Sequence, residues 1–220
     1  VFELLIKVIP LGIGSTISPV VFGIALTLLA GKHYPKQRTF AYLLGAVITV
    51  VILAVVGMLI GSGSVAGAAL APSASIDVLI GFLLIIFGIR ALTAKPKGEK
   101  PGVALGHEKA SPQLAKWFLI GFIVNITNFD AVVLNVTAVK EIFGSGAGPS
   151  YEIILTIICD LLFLLPVLLP IFVYLLMPNT ARKILEPIRS AAEKYGKYIL
   201  VLIFFIFGIY MLSKGLPAYI

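Results

Sequence analysis

Six runs of apolar residues, each about long enough to cross a lipid bilayer, constrain this chain more than any other feature. They cover about 4–30, 40–61, 76–93, 117–143, 151–177 and 198–216. A span needs about 20 mostly apolar residues. Hydrocarbon offers no partner to a backbone N–H or C=O, so each run must close its own hydrogen bonds as a helix. The predicted fold is an all-α polytopic membrane protein with six transmembrane helices in a single transmembrane domain over 1–220. Composition points the same way: 60% of the 220 residues are hydrophobic and 12% charged, where a soluble domain carries about 25% charged residues. The first run is too long for a secretory h-region and no small-residue cleavage site follows it, so it is expected to be retained.

The basic residues give the expected orientation. Lys32, Lys36 and Arg38 fall in the first loop, and Arg90, Lys95, Lys97, Lys100, Lys109 and Lys116 in the third. Arg182, Lys183, Arg189, Lys194 and Lys197 fall in the fifth, the second has none, and the fourth has only Lys140 at its edge. Basic loops stay cytoplasmic, which predicts a multi-pass protein of the cytoplasmic membrane with both termini outside. The net charge of +7 is thus topological, and no nucleic-acid partner is expected, because no basic residues cluster on a soluble module. The third loop, with Lys95-Pro96-Lys97-Gly98, reads as a flexible linker over 94–116 in which His107 is a solvated residue. In the fifth, Asn179 or Thr180 can cap a helix with Ile184, Leu185, Ile188, Ala192 and Tyr195 along one apolar stripe. That helix either lies on the cytoplasmic leaflet or is an ordinary basic linker helix, and Pro187 is expected to bend or restart it.

An internal repeat is visible. Ile86-Phe87-Gly88-Ile89 with Leu92 recurs as Ile206-Phe207-Gly208-Ile209 with Leu212. The first and fourth runs align more weakly, with Gly12 over Gly121, Ser18 over Thr127 and Pro19 over Asn128. Three spans per half is an odd number, so the halves, about 1–93 and 117–220, are expected to be inverted relative to each other. Transporters built this way hold their sites at the repeat interface near the midplane.

Both halves carry a weak point there. The first run holds Pro10 and then Gly12-Ile13-Gly14-Ser15-Thr16-Ile17-Ser18-Pro19. Proline removes a donor and crowds the preceding turn. A straight helix over this run would reach about 40 Å against a hydrocarbon core of about 30 Å, and a break near Ser15–Pro19 relieves the excess. The fourth run is equally long and carries Asn125, Thr127, Asn128, Asp130, Asn135 and Thr137. Ser15, Thr16, Ser18, Pro19, Asn125, Thr127 and Asn128 are therefore candidate substrate- or ion-binding residues, although the same residue types also join membrane helices. Gly12, Gly14, Pro19, Pro166 and Pro170 are candidate hinges. Gly57 with Gly61 and Gly63 with Gly67 match the small-residue packing pattern.

Asp130 and Asp160 lie near mid-span. An intramembrane acid is protonated, hydrogen-bonded or bound to a cation, which adds both to the candidate site. Asp130 is the one expected to exchange a proton or cation during a working cycle. Cys159 is the only cysteine, so an intrachain disulfide, a cysteine zinc site and dithiol electron transfer are excluded, and it reads as a packing residue. No metal, no cofactor, no catalytic residue and no enzyme activity is expected.

These residues resemble the glycopeptidolipid-addressing-protein family, which includes the sulfolipid-addressing proteins and belongs to the lysine-exporter superfamily. The resemblance spans nearly the whole chain. It rests on Gly14-Ser15-Thr16-Ile17-Ser18-Pro19, Phe40-Ala41-Tyr42-Leu43-Leu44-Gly45, the stretch from Gly121 to Asn128, Val133-Leu134, and Val139-Lys140-Glu141-Ile142. The segment from Pro178 to Leu185 and the surroundings of Gly208 complete it. Where relatives carry Asn-Pro, this chain has Asn128-Phe129. The resemblance implies six helices and outward movement of lipids or small solutes. The expected function is an exporter of a lipid-like or small solute by alternating access, coupled to a proton or cation. The competing expectation is a non-transporting membrane partner of a lipid-export or envelope-assembly complex. Expected partners are membrane lipids, a small-molecule or lipid substrate, a coupling ion and a second copy of the chain in a homo-oligomer.

Overall fold

Proline and glycine set where the helices of this chain begin. The computed structural model describes residues 2–31, 33–63, 72–93 and 111–219. Its helices are α1 (Phe2–Ser15), α2 (Pro19–Leu29), α3 (Pro35–Gly61), α4 (Pro72–Thr93), α5 (Leu114–Ile126), α6 (Phe129–Phe143), α7 (Pro149–Leu176) and α8 (Ala181–Gly215). Four of them open on a proline, whose missing N–H would have had no partner in a first turn anyway. Before α7, Gly148 at φ 98° supplies a backbone turn that other residues resist. Most of the linker expected over 94–116, with His107, together with Lys32 and Gly67, lies outside the described residues.

Four helices are long and apolar enough to cross a membrane, and the number rises to six if each of two bent pairs counts as one span. The protein is a membrane-embedded, multi-pass, all-helical chain in its described residues. Large apolar side chains such as Val51, Val55, Ile157, Leu161, Leu202 and Ile206 point outward, an arrangement lipid tolerates and water does not.

The bent pairs fall at the expected break in the first long run and within the polar stretch of the fourth. α1 and α2 meet at 52°, and α5 and α6 at 71°. The first break follows from Pro19. It forces Ser18 out of the helical region, to φ −134° and ψ 83°, and α2 then restarts with Phe22 N donating to Ser18 O at 3.0 Å. The second break needs no proline. Asn128 N donates to the Asn125 carbonyl at 3.2 Å, a three-residue closure that tightens the end of α5, and Val132 N restarts the ladder on Asn128 O at 3.0 Å. Asparagine side chains compete for backbone partners and weaken helix interiors.

Glycines set how closely the helices approach. A Cβ at Gly81 would lie 3.0 Å from the Gly208 carbonyl oxygen, and one at Gly208 would lie 3.2 Å from that of Gly81. Gly88 faces Phe204 and Phe205, and Gly215 faces Ala74 and Val78, so α4 and α8 run antiparallel. The two copies of the repeated motif therefore sit on one helix pair. α3 lies parallel to the second bent pair, with Gly45 against Phe118 to Phe122, Gly57 against Val136 and Val139, and Gly61 against Lys140 and Phe143. The expected packing role of Gly57 and Gly61 is what the structure has. α7 lies parallel to the first bent pair: Gly12 meets Leu162 and Cys159, and Phe22 and Leu26 meet Leu169, Val173 and Tyr174.

One expectation is corrected. The fifth loop does not hold a separate helix that restarts at Pro187, because α8 runs unbroken from Ala181 to Gly215. Pro187 sits in the second turn, where it removes one hydrogen bond, to the carbonyl of exposed Lys183. The stripe is divided as well: Ala181 and Leu185 are buried against α2 and α7, while Ile184, Ile188 and Tyr195 stay exposed.

Candidate functional site

The two breaks touch. Ser18 occupies the N-cap position of α2 and Asn128 that of α6, yet neither side chain caps its own helix. Instead the Asn128 amide donates to the Ser18 hydroxyl oxygen at 3.0 Å, across 110 residues of sequence. Ser18 is buried and Asn128 half-buried. Matched by helix position, Ser18 corresponds to Asn128, a one-residue shift from the sequence alignment that paired it with Thr127. Two helix N-termini thus open at one junction, and their first turns keep backbone N–H groups without an intrahelical partner.

The other candidate residues divide into three groups. The hydroxyls of Ser15, Thr16 and Thr127 donate to carbonyls of their own helices, Gly12 at 2.7 Å, Ile13 at 2.7 Å and Ile123 at 2.6 Å. Donors spent this way leave only lone pairs for a ligand. Asn125, 1% exposed, donates to the Gly121 carbonyl at 2.8 Å. Asp130 sits half-buried in the first turn of α6, the end of a helix at which negative charge is stabilised. Asp160 lies in α7 and accepts from the Asn135 amide at 3.4 Å.

The hinge candidates are less uniform. Pro19 is at a break. Gly12 and Gly14 lie within α1, where Cβ atoms would come 2.8 Å from Leu162 Cδ1 and 2.8 Å from Leu134 Cδ1 respectively. Their visible task is close approach. Pro166 and Pro170 are buried inside α7, which continues through both.

A second polar cluster was missed by sequence reasoning. Lys140 on α6 pairs with Asp77 on α4, and also with Glu141 at 3.2 Å. Lys214 on α8 reaches Glu141 at 2.8 Å and Asp77 at 3.8 Å. The Tyr210 hydroxyl donates to Glu141 at 3.2 Å, and Lys7 of α1 lies 5.3 Å from the Tyr210 ring centre. Asp77, Lys140 and Glu141 are 2%, 4% and 7% exposed. Two carboxylates and two ammonium groups balance, which is the condition for burying such charges. The available signal was Lys140-Glu141 inside the fourth apolar run and Asp77 just inside the third. Assigning Lys140 to a loop edge hid it.

No curated protein and no solved structure matches the chain. The family model described as "Sap, sulfolipid-1-addressing protein" matches residues 8–217. With four to six apolar spans and that match over nearly its full length, the chain is a membrane protein linked to lipid transport and belongs to the sulfolipid-1-addressing protein family.

Proposed function

We propose that this protein exports a lipid-like solute across the cytoplasmic membrane by alternating access, using two inverted three-helix repeats that meet at Ser18 and Asn128. The hydrogen bond joining the two breaks is the observation that carries this reading. Paired discontinuous helices at a repeat interface are how many secondary transporters build their sites.

Symmetric packing supports the inverted repeat. Gly12, on the first bent pair, meets α7, and Gly121, aligned with it in the second, meets α3. The self-paired antiparallel contact of α4 with α8, holding both copies of the repeated motif, is what a two-fold axis in the membrane plane generates. Each bent pair then counts as one of six spans, as in the lysine-exporter superfamily. The basic loops favour a cytoplasmic linker and outward termini.

The family's description names a sulfolipid, which favours an amphiphile with an anionic head and acyl chains over a small polar solute. The experiment is flux in vesicles. Purified protein in liposomes, given a fluorescent sulfated acyl-glycolipid, should move it between leaflets faster than protein-free vesicles do. Ser18→Ala and Asn128→Ala should each slow that movement. A wild-type rate equal to that of protein-free vesicles would favour the non-transporting partner instead.

A further inference from the structure

We propose that Asp160 and Asn135 form a small-cation site between α7 and α6, at which a proton or a sodium ion binds. Its use in coupling rests on the exporter reading; its existence does not.

Asn135 is fully buried, at 0% exposure, and its Oδ1 accepts no hydrogen bond from the described residues. Its Nδ2 donates to Asp160 Oδ1 at 3.4 Å, longer than the usual N–H···O separation of about 2.9–3.0 Å. A buried acceptor left unmatched costs the desolvation of that group. Asp160 is half-buried, and among the described residues no lysine, arginine or histidine pairs with it. Cys159 adjoins it on α7 and is buried against Gly12 of α1. Several charged groups on the helices packed around α7 are engaged elsewhere. Lys140, Glu141 and Lys214 form the cluster with Asp77, Lys7 lies over Tyr210, and Arg189 pairs with Glu193 at 2.9 Å.

A long hydrogen bond on one side and an unmatched oxygen on the other have one common remedy. A half-turn of the Asn135 amide presents Oδ1 to Asp160. Two oxygens then face each other, and a cation between them completes both. A proton held on Asp160 donates to Asn135 Oδ1; a sodium ion is coordinated by the carboxylate and the amide oxygen together. Oxygen ligands are what hard cations take. The same amide, turned back, donates to the carboxylate as it does here. Asp130 sits instead in the first turn of α6, the end of a helix at which negative charge is stabilised.

Infrared spectroscopy of the full chain in liposomes tests this directly, through the carbonyl stretch of a protonated carboxyl group followed over pH in sodium and in choline salts. The expected result is a titrating band that is lost in Asp160→Asn, retained at a shifted frequency in Asp160→Glu, and moved in midpoint by Asn135→Ala. A midpoint lower in sodium than in choline assigns the ion as sodium competing with the proton, and an unmoved midpoint assigns the proton alone. A band that survives Asp160→Asn, or that ignores Asn135→Ala, overturns the site. The readout needs no transport. Titration without flux removes the exporter reading alone, and flux without titration removes the site alone.

Discussion

Asn128 Nδ2 lies 3.0 Å from Ser18 Oγ, so the N-cap of one restarted helix is held by the N-cap of the other. The bond links positions 110 residues apart at the points where two long apolar runs change direction by 52° and 71°.

This bond is expected to appear as a coupling energy. Ser18→Ala and Asn128→Ala should each destabilise by about 0.5–1.5 kcal/mol, and the double variant should cost less than the sum because both remove one interaction. Denaturant titration in detergent micelles measures it. Strictly additive losses would mean that the two side chains act independently.

Lys140→Met should be among the most damaging single substitutions. Among the described residues it leaves the more exposed Lys214 as the one cation paired with buried Asp77 and Glu141, and breaking a buried pair costs about 3–5 kcal/mol. Lys214→Met should cost clearly less, since its side chain is 43% exposed. Thermal unfolding in micelles ranks the two, and the reverse order would contradict the cluster.

Gly45→Ala should destabilise by about 1–3 kcal/mol or more through overpacking, because its Cβ would collide with the Phe118 carbonyl and with the backbone at Gly121 and Phe122. Gly23→Ala is the control, with nothing within 4 Å of its Cβ. Equal stability of the two variants would show that α3 and α5 are not in close contact.

Much of this fold is legible in the sequence because membrane helices announce themselves by apolar length. Pro19 announces its break through its own chemistry, and Gly88 and Gly208 announce a repeat, though not that its two copies touch. The break at Asn128 is legible only as excess length and excess polarity, since no proline marks it. The Asp77–Lys140 pair spans 63 residues and Asn135–Asp160 spans 25; partners that far apart leave no spacing signal. Pro187, Pro166 and Pro170 mark places where a helix could restart or bend, and α8 and α7 continue through them.

The orientation read from the basic loops has its own test. Cysteines introduced one at a time at His33 and Ser150, both exposed, in a Cys159→Ala background, should label from opposite sides of the membrane. His33→Cys should react only from the cytoplasm and Ser150→Cys only from outside. Labelling of both from one side would remove the inverted-repeat reading.

Alternating access through the two breaks requires the Ser18–Asn128 junction to move during lipid export. Ser18→Cys with Asn128→Cys, in the Cys159→Ala background, can be bridged by a short thiol-specific reagent whose link is cleaved by reductant. Flux of the fluorescent glycolipid is then measured before bridging, after it, and after reduction. Uncrosslinked protein should be slower than wild type but still active, bridging should arrest it, and cleavage should restore the unbridged rate. Full flux with the bridge intact would contradict that requirement.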